Sequence, residues 1–289
     1  MNKQVTFMMK VNFIGAGKLG KNIAKQIAIN KAAMIQGICN ARSGIDAVNF
    51  IGQGKSYKNI NALPPADLTF ITTPDDDIQT CCEKLAKSNN LRKRSIVVHC
   101  SGALTSDQLI SVKKKNCSVA SAHPLRSFIE ENTLQSGNAY CAIEGDQNAV
   151  ETLTQLFSTI GYLVYPVDRS KKIIYHAAGI FASNYLVTLF KSALSCLKEA
   201  DIEDSTAVKM TMNLMKNTLE NIEVTQSAEK SLTGPIKRGD LNTISEHLRV
   251  LSKIELSELY KKLGLVTLNI ANLSTLQKEK MKKALSILS

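Results

Sequence analysis

Apolar residues follow two patterns along the chain, and one gives way to the other near residue 167. Before that point, short apolar runs at 11–14, 34–39, 67–72, 95–99, 118–122, 140–143 and 162–167 read as strands. Helical spacing separates them: Leu19, Ile23, Ala24, Ile27 and Ala28 recur on one face. Strands alternating with helices predict βαβ units and a mainly parallel sheet. From 172 to 289 the periodicity is helical. It begins with Ala177, Ile180, Phe181 and Val187. It continues through 208–222 and through Leu248, Leu251, Ile254, Leu256 and Leu259. Thr233-Gly234-Pro235 and Gly239 are its strong breaks. The expectation is an α/β domain over 1–167 followed by an all-α domain over 168–289.

The first strand runs into Gly15-Ala16-Gly17-Lys18-Leu19-Gly20, where a helix begins. This is G-x-G-x-x-G in the strand–loop–helix setting of a dinucleotide site. The first glycine allows the tight turn. The second lets the backbone approach a pyrophosphate, and the third permits close helix–strand packing. Free N–H groups at the helix N-terminus favour the phosphates. The loop therefore predicts a Rossmann domain, with all six of its residues at the cofactor. An NAD site places an acid about 20 residues further on, at the end of the second strand. Here that stretch reads Cys39-Asn40-Ala41-Arg42-Ser43, with no acid before Asp46. Arg42 would pair with a 2′-phosphate, and Asn40 and Ser43 would donate to it. NADP(H) is the expected cofactor.

Ligands of open α/β sheets bind beyond the carboxyl ends of the strands. Thr72, Thr73 and Pro74 end one strand and are expected near the cofactor's ribose and nicotinamide. His99, Ser101 and Gly102 follow another and are expected at the cofactor too. His123 ends a third and is expected at the substrate. No G-x-S-x-G elbow surrounds Ser101, so a hydrolase is not expected. In the helical half, Lys172, His176, Ser183 and Asn184 fall on or near one face by their spacing. Reducing a ketone requires a proton donor at the carbonyl oxygen, and Lys172 and His176 are rivals for it. Asn184 would hold that oxygen and Ser183 the substrate. The plainer reading makes Lys172 a solvated first-turn lysine and His176 a packing residue. Asp240 reads as a helix N-cap. Thr233 and Arg238 would reach the substrate, Arg238 through a carboxylate.

Composition narrows the class. The net charge is +11, with 36 basic and 25 acidic residues. The lysines are dispersed or sit in amphipathic patterns, aromatic residues are 5% of the chain, and there is no Trp. Nucleic acid is therefore not expected, whereas a small anionic substrate is. No unbroken apolar run approaches the roughly 20 residues of a membrane span. The N-terminus lacks a secretory h-region, and the first eight residues read as a dispensable lead-in, with Met1 and Met9 both open as starts. Seven cysteines show no C-x-x-C or zinc spacing. Neither a disulfide framework nor a metal is expected, and a reducing cytoplasm is.

Several motifs occur in this order in a known family. They are the Gly15 loop, His99-Cys100-Ser101-Gly102-Ala103-Leu104, Ala122-His123-Pro124-Leu125, Tyr175-His176-Ala177-Ala178, Ala182-Ser183-Asn184 and the segment from Thr233 to Asp240. Through them nearly the whole chain resembles the proteins that join a Rossmann-like domain to a DUF2520 domain. That family is similar to the 6-phosphogluconate dehydrogenase-like group, which includes pyrroline-5-carboxylate reductase and ketopantoate reductase. The resemblance implies an all-helical C-terminal domain that forms a homodimer. Some members resemble an alternative class of ketopantoate reductase. The leading expectation is NADPH-dependent reduction of a small 2-oxo acid, with ketopantoate to pantoate, in pantothenate biosynthesis, as the best single reaction. An imine reductase of the pyrroline-5-carboxylate type and a non-catalytic NADP(H) sensor or scaffold are the alternatives. In the usual ketopantoate reductase one helix carries Lys and Asn at four-residue spacings. Here the stripe is Lys172, His176, Ile180 and Asn184, so His176 and Ile180 depart from it.

Overall fold

In the computed structural model, which describes residues 8–40, 44–128 and 139–286, the chain divides into two compact units, Met1–Phe181 and Ala182–Ser289. The first is built on an eight-stranded sheet. Its strands are β1 (Lys10–Ile14), β2 (Met34–Cys39), β3 (Lys55–Tyr57), β4 (Leu68–Ile71), β5 (Ile96–His99), β6 (Ser118–Leu125), β7 (Ala139–Gly145) and β8 (Tyr162–Pro166). Their order is β3-β2-β1-β4-β5-β6-β7-β8. Neighbours are parallel except β6 and β7, which run antiparallel. All the expected strands are present. The additional strand, β3, is three residues long with no apolar run to reveal it. The strand order reverses between β1 and β4, and such switch points open a crevice at the strands' carboxyl ends.

Helices α1 (Lys18–Ile29), α2 (Gly44–Ile51), α3 (Asp75–Lys87), α4 (Ile110–Lys113) and α5 (Gln147–Thr159) connect these strands. Strands covered on both faces need apolar side chains on both, which is why β1, β4 and β5 are mostly apolar, with Asn12, Thr69 and His99 as their buried polar residues. One face packs against Ile23, Ala24 and Ile27 of α1 and Leu153, Leu156 and Phe157 of α5. The other packs against Ile78, Cys82 and Leu85 of α3 and Val112 of α4. Phe13 and Phe70, paired across β1 and β4, stack at 4.7 Å.

The unit boundary falls later than the expected residue 167. Helix α6 (Lys172–Gly179) belongs to the first unit. Its first residue, Lys172, is 1% exposed and seated against the sheet, so the helix is held there by a polar anchor that hydrophobic periodicity does not register.

A π-helical turn, Ile180–Asn184, joins α6 to α7 (Tyr185–Glu199). The second unit continues with α8 (Asp204–Thr225), α9 (Ala228–Ser231), α10 (Gly234–Arg238), α11 (Leu241–Leu251), α12 (Ser257–Thr267) and α13 (Thr275–Ser286). It has no strand among the described residues. Its core gathers Ile244, Leu268, Met281 and Leu285. The helical run Arg169–Glu199, with a mean hydropathy of 1.4 in its most apolar stretch, is long and apolar enough by length and composition to cross a membrane. Polar residues interspersed among its apolar ones keep it from forming an unbroken apolar run.

Candidate active site

Three residues separate β1 from α1, so the chain turns sharply between them. Gly15 has φ +86°, a left-handed conformation suited to glycine, and a Cβ there would lie 2.8 Å from the backbone of Thr72 and Thr73. Its N–H donates to the Cys39 carbonyl (2.8 Å), and its carbonyl accepts from Thr72 Oγ1 (2.7 Å). A Cβ on Gly20 would lie 2.3 Å from the same hydroxyl. Around Gly17, by contrast, nothing lies within 4 Å of a Cβ position. The loop is packed on its sheet side and open at Gly17, where a pyrophosphate requires close approach. These residues fit a dinucleotide. Ala16 is buried, Leu19 packs partly on the core and Lys18 is exposed. Asn40 Oδ1 accepts from the Ala16 N–H (3.4 Å), so Thr72 and Asn40 both brace the loop. Pro74 precedes α3, with Thr73 before it. Arg42 and Ser43 lie outside the described residues.

The sheet register aligns His99 on β5, Ser121 on β6 and Glu144 on β7. Residues paired in this way share a face. In the other direction the row continues through Ile71, Ile14 and Cys39, so this face changes from apolar to polar across the sheet. Lys172 reaches its polar end. Its Nζ donates to Ser121 Oγ, to the Leu104 carbonyl and, at 3.5 Å, to Glu144 Oε1. Glu144, 6% exposed, also accepts from the Ser106 N–H (2.7 Å), Ser106 Oγ (2.8 Å) and Arg169 Nε (3.2 Å). A buried carboxylate requires such partners. Burial pushes the Lys172 pKa down, while Glu144 opposes the shift. Lys172 is thus not a solvated first-turn lysine. All three N–H bonds of its ammonium are engaged.

His99 is fully buried. Its Nδ1 accepts from the Ser101 N–H (3.2 Å), so Nε2 carries the proton and donates to the Thr105 carbonyl (2.9 Å). Burial first, and Lys172 second, lower its pKa to about 4. Ser101 Oγ donates to Asp75 Oδ2 (2.7 Å) and accepts from the N–H groups of Ala103 (3.2 Å) and Leu104 (2.9 Å). His99 and Ser101, expected at the cofactor, instead turn inward and fold the segment after β5.

That segment presents Gly102 to two histidines. A Cβ on Gly102 would lie 2.4 Å from His176 Nδ1 and 2.8 Å from His123 Cε1 and Nε2. The rings of His123 and His176 meet edge to face at 5.6 Å. Tyr175 packs on His123 at 5.9 Å, and its hydroxyl shares a hydrogen bond with His123 Nδ1 (3.3 Å). Burial, then His176, then Lys172 lower the His123 pKa to about 4. His176 Nδ1 is sealed from solvent without a partner among the described residues. Leaving such an atom unpaired costs about 1–3 kcal/mol, and exceptions of this kind point to a ligand or a catalytic role.

Ser106, Ser121 and Glu144 were not singled out from the sequence. Glu144 had a signal: one acid near the end of the otherwise uncharged strand 139–145. Ser183 and Asn184, both exposed, fall at the end of the π turn, in the second unit. Thr233 precedes α10, and Arg238 ends it with an exposed side chain. Asp240 caps α11 as expected, accepting from the Thr243 N–H (3.1 Å) and Oγ1 (2.7 Å).

Comparison with known proteins agrees with this architecture. Residues 3–124 match the Rossmann-like domain model, and residues 139–267 match DUF2520, a domain of unknown function. No curated protein matches its sequence. Among solved structures it is similar to BF3122 of Bacteroides fragilis, a proposed NADP oxidoreductase. That similarity has a TM-score of 0.76 at 19% identity and covers 91% of this chain and 98% of that one. Protein TM1727 of Thermotoga maritima aligns at 28% identity with a TM-score of 0.68, over 90% of this chain and 98% of the other. Pyrroline carboxylate reductase of Plasmodium falciparum, solved with NADP bound, aligns at 12% identity with a TM-score of 0.58, over 96% and 98%. These likenesses establish a shared fold.

Proposed function

We propose that this chain, a Rossmann-like domain continued by a DUF2520 domain, is an NADPH-dependent reductase of a small 2-oxo acid, with ketopantoate the leading substrate. One juxtaposition carries the reading. At the carboxyl ends of one set of parallel strands stand a glycine loop open to phosphate and a half-buried His123–His176–Tyr175 cluster, in which His176 Nδ1 has no partner among the described residues.

The Gly15 loop holds the pyrophosphate, and Arg42, with Asn40 and Ser43, holds the 2′-phosphate. When bound, the nicotinamide supplies the hydride. His176 donates the proton to the substrate's carbonyl oxygen. Neutral His123, bonded to Tyr175, orients it. Asn184, Ser183, Thr233 and Arg238 keep their proposed roles toward the substrate, each tested by its own alanine variant. NADP bound to the Plasmodium falciparum reductase of the same fold supports the cofactor assignment.

The protein acts in the cytoplasm as a homodimer through its helical unit. Within the chain, α8 buries only Ala207 and Thr211, and leaves Val208, Met210, Met212, Leu214, Leu219, Ile222 and Val224 exposed. An apolar surface of that extent calls for cover, and a second copy supplies it.

The test is NADPH oxidation by the purified chain against a panel of 2-oxo acids and cyclic imines. Turnover with a 2-oxo acid supports the reading. Turnover with cyclic imines alone replaces it with an imine reductase. Tight NADPH binding without turnover across the panel replaces it with a sensor.

A further inference from the structure

Lys172 occupies a place that neither proton donation nor solvation explains. Residues 100–105 follow β5 without helix or ladder pairing. Their backbone groups must find partners elsewhere, and side chains supply them. Lys172 Nζ takes the Leu104 carbonyl and also donates to Ser121 Oγ, which in turn donates to the Ser101 carbonyl (3.3 Å). Glu144, paired with Lys172, takes the Ser106 N–H and hydroxyl. The Lys172–Glu144 pair therefore grips the segment at residues 101, 104 and 106. Lys172 also lies one helical turn before His176 on α6. Its anchorage fixes the same helix that carries the ring pressed on Gly102.

We propose that Lys172 is a positioning residue: with Glu144 it clamps residues 100–106 and α6 together, so that Gly102 sets the orientation of His176. A buried ion pair is weak evidence of net stability, whereas holding one arrangement is its better-supported use. The kinetic part of this proposal rests on the reductase reading, while the conformational part does not.

The experiment compares the full, ligand-free chain with its Lys172→Met, Lys172→Arg and Ser121→Ala variants by hydrogen–deuterium exchange. Ser121→Ala removes the link to the Ser101 carbonyl and one of the three Lys172 Nζ bonds, leaves the Lys172–Glu144 pair in place, and covers the case in which Lys172→Met fails to fold. The expected result is exchange about tenfold faster across 101–106 in Ser121→Ala and Lys172→Met, with β1 and β4 unchanged. Lys172→Arg, which keeps the charge and several donors, recovers part of the protection. With an active substrate, kcat falls about tenfold in Ser121→Ala while the NADPH KM stays within about twofold. Wild-type exchange across 101–106 in folded Ser121→Ala and Lys172→Met overturns the clamp, whatever the substrate proves to be. Loss of turnover in Lys172→Met with full kcat in Ser121→Ala overturns it in favour of Lys172 as the proton donor. Absence of any turnover in the wild type bears on the reductase reading alone, since the exchange measurement still decides the clamp.

Discussion

Nδ1 of His176 lies 2.4 Å from the point where a Cβ on residue 102 would stand. Only glycine leaves room for that ring. Gly102→Ala is therefore expected to displace His176 rather than unfold the chain, at an overpacking cost of about 1–3 kcal/mol. A displacement of about 1 Å at a reacting group costs on the order of a hundredfold in rate. Steady-state kinetics should show kcat falling by about that factor, and fluorescence titration should show NADPH affinity nearly unchanged. Full activity in Gly102→Ala would remove His176 from the chemistry.

The glycine loop should behave in the opposite way. A methyl group on Gly20 would meet Thr72 Oγ1 at 2.3 Å and the Gly15 carbonyl at 3.0 Å. Gly20→Ala should weaken NADPH binding by about tenfold or more through the misplaced loop. Adding Thr72→Ala removes the closest clash and should restore part of the affinity. Isothermal titration of both variants checks the order, and unaltered binding in Gly20→Ala would place the cofactor elsewhere.

Cofactor choice rests on Arg42. Its alanine variant should lose about tenfold or more in NADPH affinity while NADH affinity holds, because only the 2′-phosphate loses its charged partner. Parallel titrations with the two cofactors measure the ratio, and an unchanged ratio rejects the assignment.

His99 and His123 each have a pKa of about 4 in the folded chain, against an ordinary 6.5. Between those values the unfolded chain binds more protons, so stability rises with pH. This contribution is complete above 6.5 and is lost progressively as pH falls toward 4. Each ring adds a slope of up to about 1.4 kcal/mol per pH unit in that window. His99→Gln keeps a donor and an acceptor but does not titrate, so urea unfolding across the window should show a shallower slope. An unchanged slope would mean that His99 is not buried in its neutral form.

The exposed apolar residues of α8 yield a test of assembly. Leu214 is 68% exposed and Val224 is 84% exposed. Glutamate at either position leaves the chain's own core intact and should shift sedimentation from dimer toward monomer. A wild-type chain that sediments as a monomer ends the dimer proposal.

Legibility followed the range of the interactions. The strands and the Gly15 loop could be read directly because each depends on neighbours a few residues away. The Asp240 cap could be read for the same reason. Lys172 could not, because its partners Ser121 and Glu144 meet only through the antiparallel pairing of β6 with β7. His99 and Ser101 were read as facing a ligand because they follow a strand's carboxyl end. They face inward because an unpaired segment drew on them for backbone hydrogen bonds. The boundary expected at 167 moved for a related reason, since α6 is held to the sheet by a buried charge.

Sequence by itself determined the two-part architecture, the dinucleotide loop and the presence of histidines near the strand ends. Periodicity and turn chemistry are local, and they survive without knowledge of partners. Tertiary structure alone decided which polar groups are anchors and which face the chemistry. That choice depends on strand register. One register places His99, Ser121 and Glu144 in a row beneath Lys172 and leaves His176 pressed against Gly102, its Nδ1 without a partner among the described residues.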